Sequence, residues 1–172
     1  MRILLTSLVL VLTLGFASVA HAADQTSLPP DKIALLKTTC VSAQVTLQQI
    51  QYNDAANRVN RGQAYESLLS SLMIPLNSRA SADNFSGSAT ELTGITDRYE
   101  QSLNNFKSDY DTYDDALTKT LHDKCVQNPE DFYKNLTDTR EQRTDVSNDV
   151  TTLGQLIDEY QQAVIKLKAE VH

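Results

Sequence analysis

The sequence predicts an all-α protein, an elongated up-down-up antiparallel three-helix bundle with coiled-coil-like packing. Three observations carry that expectation. Twelve positions near the C-terminus (Phe132, Leu136, Thr139, Arg143, Val146, Val150, Leu153, Ile157, Tyr160, Val164, Leu167 and Val171) alternate in steps of four and three, and ten of them are apolar. That spacing keeps one stripe against a partner along a helix of about 60 Å, at about 1.5 Å per residue. Only 5 Gly and 4 Pro occur in 172 residues, which suits long uninterrupted elements. Finally, pairing Cys40 with Cys125 across antiparallel helices puts the first turn near residue 82, where loop-forming residues fall independently.

The chain opens on a targeting segment. Arg2, the apolar run Ile3 to Phe16 and the small-x-small exit Ala20-His21-Ala22 read as a secretory signal peptide, residues 1–22, cut after Ala22. Residues 23–29 are polar and end in Pro29, the pattern of a flexible leader.

Helix 1 is expected over about 30–75, with Pro30 at its first position and Asp31 facing the positive helix end. Its seam is Ile33, Leu36, Cys40, Ala43, Leu47 and Ile50. The stripe then shifts around Asp54, Asn57 and Arg61 and resumes at Val59, Tyr65, Leu68, Leu69 and Leu72, as at a coiled-coil stutter. Pro75 is expected to end or kink the helix, because it lacks an N–H and crowds the carbonyl four residues back. Residues 76–87 then read as a loop.

Helix 2 is expected over about 88–127, opened by the capping-box pattern Ser88-Ala89-Thr90-Glu91. Its seam, Leu92, Ile95, Tyr99, Leu103, Phe106, Tyr110, Tyr113, Leu117 and Leu121, is rich in aromatics. Helix 3 follows over about 129–168, with Asn128 as cap, Pro129 at the first position and Glu130 and Asp131 behind it. Residues 30–172 thus form one bundle.

Fifteen Lys+Arg against 22 Asp+Glu give a net charge of −7. Nucleic acids and anionic membranes want basic footprints, so neither is an expected partner. After signal cleavage no segment is apolar enough to hold the chain in a membrane. Cys40 and Cys125 are the only cysteines, both in the exported part, and an oxidising compartment pairs them as a disulfide.

Polar residues interrupt two seams within a few turns of one another, Asp54, Asn57 and Arg61 on helix 1 and Thr139 and Arg143 on helix 3, and Asp111 and Asp114 on helix 2 lie near the same level. The spacing predicts a salt-bridge layer that fixes helix register, with Arg143 paired to Asp114 and Arg58 or Arg61 paired to Asp111. The sharper alternative is a binding cleft at mid-bundle. The run Asp109, Asp111, Asp114 and Asp115 lacks the glycine and closing Glu of a calcium loop and reads as a solvated helix face. His122, His172 and the cysteines lack zinc-ligand spacing. Neither a nucleophile elbow nor a phosphate-cradling glycine loop occurs after the signal peptide, so no catalytic residue, metal or cofactor is expected. The loop 76–87, with Leu76, Arg79 and Phe85, is a possible interaction loop at one tip; its plain alternative is a connector with Phe85 folded back on the bundle.

These readings predict a secreted or periplasmic, non-enzymatic helical module of structural or protein-interaction type. Its partner would be another protein, a second copy included. The alternative is a soluble envelope chaperone or adaptor that clamps clients between helices.

Overall fold

The computed structural model describes residues 28–171; the expected signal peptide, most of the leader and His172 lie outside the described residues. Pro30 opens α1 (Pro30–Leu68), with Asp31 in the first turn. A single π-helical turn, Leu69–Met73, leads without a break into α2 (Ile74–Ala82). Then come α3 (Ser86–His122) and α4 (Pro129–Val171). The α1–π–α2 rod, α3 and α4 run up, down and up as an all-α bundle, with no strand among the described residues.

Pro75 neither ends the rod nor opens a loop. The Ile74 N–H donates to the carbonyl of Leu69, five residues back rather than four. This wide turn lies just ahead of the proline, where the ring presses on the preceding turn and one donor is missing. The chain therefore stays helical to Ala82, and the expected loop 76–87 shrinks to a tight turn at 83–85. Asn84 turns it with φ 64°, a left-handed conformation that Asn tolerates. The Phe85 N–H donates to Ala80 O at 3.0 Å and the Asn84 N–H to Ser81 O at 3.3 Å, which closes the carbonyl end of α2.

The capping-box expectation also fails. Helix α3 begins at Ser86, and Ser88 is buried, its hydroxyl donating to Glu170 Oε1 at 2.8 Å. Leu76 and Phe85 pack against the upper core, and Arg79 lies exposed in the last turn of α2. The three residues belong to no free loop. Helix α3 stops at His122, five residues short of the expected Gln127, and 123–128 form the second connector.

The antiparallel register holds near the base and drifts above it. Cys40 and Cys125 lie at disulfide distance, with Cα atoms 5.7 Å apart. Gln44 Nε2 donates to Leu121 O at 3.2 Å, on the same register. Higher up, Glu66 meets Lys107 at 2.6 Å, eight numbers out of step, a drift complete before the π turn, since Asn77 and Thr96 beyond it keep the same offset. Between α3 and α4, Arg98 pairs with Glu159 and Glu91 with Lys166, each at 2.6 Å, close to the register expected from a turn at 128.

The core is unevenly shared. Helices α3 and α4 pack along their length, and every expected α3 seam residue from Leu92 to Leu117 is buried. The largest apolar cluster fills the end near the 83–85 turn, where Met73 and Ala80 meet Tyr99, Leu153 and Tyr160. There the Tyr160 hydroxyl donates to Asn77 Oδ1 at 2.9 Å and approaches Met73 O at 3.2 Å. A second cluster, Cys40, Cys125 and Phe132, closes the base. Helix α1 contributes only Cys40 as a fully buried residue; its seam residues Ile33, Leu36, Ala43, Leu47 and Ile50 are half-buried. Val59 and Leu72, expected inward, are exposed.

Candidate functional site

Of the polar residues expected to form one layer, Asp54 and Arg143 meet at mid-bundle, in a different pairing from the one the spacing predicts. Asp54 on α1 accepts from Arg143 on α4, Nε to Oδ2 at 2.9 Å and Nη2 to Oδ1 at 3.2 Å. Tyr113 on α3 donates its hydroxyl to the same Oδ2 at 2.8 Å. Asp54 thus joins all three rods. Hydrogen bonding to Asp54 raises the Arg143 pKa and keeps the guanidinium charged. Burial, followed by the bond to Asp54, raises the Tyr113 phenol and keeps it a donor.

Arg143 does not pair with Asp114, although the two lie at the same level of α3 and α4; its guanidinium turns to Asp54 on α1 instead. Asp114 lies instead near Gln51 Nε2, at 3.5 Å, and the same amide donates to Thr118 at 2.9 Å. The expected pair of Arg58 with Asp111 does form. Arg58 also lies over the Tyr110 ring, 4.9 Å from its centroid, a cation–π contact. Thr139 belongs to a buried hydroxyl pair, 2.9 Å from Thr120 Oγ1. Asn57 and Arg61 are exposed, on the wall of a cleft.

That cleft opens between α1 and α4 over α3 and encloses about 580 Å³. Its walls carry Arg58 and Arg61 from α1 and Arg140 and Arg143 from α4; Asp54 is its one carboxylate. Four of the chain's seven arginines therefore line one concavity of an acidic molecule. Phe106, Tyr110 and Tyr113 form the floor. The Tyr110 hydroxyl is buried without a hydrogen-bond partner. Burial first, then the Asp114 and Asp54 carboxylates, push its pKa up to about 12. Arg140 was not among the residues singled out from sequence, although it sits three before Arg143 and so shares its helix face.

The acidic run lies on α3, as expected, yet it is not simply solvated: Asp111 pairs with Arg58, Asp114 lies by Gln51, and Asp109 faces an acid on α4. Asp149 on α4 faces Asp109, with Oδ2 buried and unpaired. Burial, followed by the Asp109 charge, raises the Asp149 carboxyl to about 6. His122 Nδ1 donates to Thr118 O at 2.7 Å. No group of three metal-ligating side chains occurs among the described residues.

A second feature lies on the outside of α1. Val41, Val45, Gln48, Tyr52, Ala55 and Val59 follow one another in steps of four and three, and all six are exposed. Tyr52 keeps 74% of its surface in solvent and Val41 69%. Between Lys37 and Asp54 the helix carries no charged residue. Helix α1 thus has two seams, one turned to the bundle and one turned away from it. No helix among the described residues is long and apolar enough to cross a membrane.

No protein-family model matches this sequence, and no curated protein or solved structure is significantly similar to it.

Proposed function

We propose that this chain is an exported, non-enzymatic structural module that assembles by pairing α1 with α1 of a second copy. The observation that carries the reading is the outward stripe from Val41 to Val59. Exposed apolar residues at coiled-coil spacing on a helix that buries little of itself are what a partner helix covers. A second copy suits the face on charge. The molecule carries −7 overall, so like copies repel generally, and the uncharged stretch from Thr38 to Asn53 is where they approach at least cost. The spacing is also self-complementary. Laid antiparallel, Val41 of one copy falls opposite Val59 of the other, Val45 opposite Ala55, and Gln48 opposite Tyr52. Such an isologous contact closes on itself as a dimer. Export accounts for the targeting segment read in the sequence and for a cysteine pair at disulfide distance.

Sedimentation velocity of residues 23–172 tests the reading. The parent should sediment as a concentration-dependent dimer, and the double variant Val45→Asp, Tyr52→Asp as a folded monomer. A parent that stays monomeric at high micromolar concentration overturns it.

A further inference from the structure

We infer that the mid-bundle cleft is a binding site for a small organic anion, its carboxylate or phosphate held by Arg61 and Arg140 and its apolar body laid toward Val146 and Val150. This goes beyond assembly through α1, since it uses the opposite side of that helix.

The four arginines of the cleft fall into two classes. Arg143 is engaged by Asp54, and Arg58 by Asp111 and the Tyr110 ring. Arg61, above the Asp54–Arg143 contact on the α1 wall, and Arg140, below it on the α4 wall, are exposed and make no ion pair or side-chain hydrogen bond among the described residues. A guanidinium offers a planar fork of donors matched to carboxylate or phosphate oxygens. Two such forks across one concavity, with Asp54 already bound on both oxygens, leave a positive site with no competing internal acid.

The lining below is apolar. Val146 and Val150 are half-buried on the α4 wall, and Phe106 and Tyr110 lie beneath. The cleft volume, about 580 Å³, falls in the range of sites that take small organic ligands. Tyr110 adds an independent sign: it is 5% exposed, lines this cleft, and its hydroxyl lacks a partner. Buried hydroxyls are normally satisfied, and this one is not. Inorganic anions would use the arginines alone; a ligand with an apolar body uses the whole site.

The test titrates the ¹⁵N-labelled exported chain with phenyl phosphate and, separately, benzoate, and follows the arginine Nε–H resonances. Saturable shifts confined to the cleft arginines are expected with at least one of the two anions. The double variant Arg61→Gln, Arg140→Gln should weaken binding at least tenfold with an unchanged melting temperature, since both side chains are exposed. Arg79→Gln, away from the cleft, should bind as the parent does. No shift with either anion, or equal binding by the double variant, overturns the proposal. Inorganic phosphate binding as tightly as phenyl phosphate removes the role of the apolar lining, and benzyl alcohol binding as tightly removes the anion; either result also overturns it. Self-association measured on the same samples keeps this outcome separate from that of the α1 seam.

Discussion

Asp54 and Arg143, 89 residues apart in sequence, hold α1 to α4 through two hydrogen bonds of 2.9 and 3.2 Å. The two partners are unequal: the Asp54 side chain is 16% exposed and that of Arg143 55%. Removing the aspartate leaves the Tyr113 hydroxyl unpaired in a buried residue, whereas removing the arginine leaves Asp54 still bonded by Tyr113. Asp54→Ala should therefore cost about 1–3 kcal/mol, the range for leaving a buried polar group unsatisfied, and Arg143→Ala less. Thermal denaturation of the two variants checks the order.

The cysteine pair closes a span of 85 residues at the base of the bundle. Loop-entropy estimates for a span of that size give about 4–5 kcal/mol, a large share of a typical domain stability of about 5–15 kcal/mol. Cys40→Ala with Cys125→Ala should lower the urea midpoint to that of the reduced parent. A double variant as stable as the oxidised parent would mean the bridge does nothing for stability.

Tyr160 ties α4 to the π turn. Its hydroxyl bonds Asn77 Oδ1 and Met73 O inside the largest core, and Asn77 in turn donates to Thr96 at 2.8 Å. Tyr160→Phe keeps the ring and removes the hydroxyl. The expected cost is about 1–3 kcal/mol, from polar groups left unsatisfied in the interior. Hydrogen exchange should speed up first in residues 69–82, ahead of the base of the bundle.

Asp149 makes stability depend on pH with a definite sign. Its pKa rises from 3.8 to about 6 in the fold, through burial and the Asp109 charge. The folded form thus binds the proton more tightly than the unfolded form. The stability from this group is complete below about pH 4 and is lost as pH rises through about 6. Asp149→Asn removes the penalty. Its melting temperature should exceed the parent's at pH 7.5, and the gap should close by pH 4.

Much of the fold was legible because helix spacing is a local signal. The α3 seam, Pro30 and Pro129 as openers, and the Cys40–Cys125 register all follow from residues within a few turns of one another or from one arithmetic constraint. The region after Pro75 departs from the expected loop because proline disfavours an α-helical turn, whereas one wider turn accommodates it. Ser-Ala-Asp-Asn at 81–84 looked like loop composition and is a helix end with Asn84 in the left-handed position. The pairing of Arg143 differs because register sums give a level and not a partner: Asp114 and Asp54 both lie within reach of that level, and Arg143 takes the half-buried Asp54, which Tyr113 also bonds. Val59 is apolar yet faces outward, because only the packing tells an inward valine from an outward one.

The account stands or falls on what covers the outer face of α1. Replacing Tyr52 with a photo-crosslinking amino acid in the exported chain, then irradiating it in solution, reads this contact directly. The account predicts a covalent homodimer, with the linked peptide mapping to the segment around Gln48 of the second copy. A chain that yields only uncrosslinked monomer at concentrations where the parent is tested for dimers, or one linked through α3 or α4 of the second copy, contradicts it.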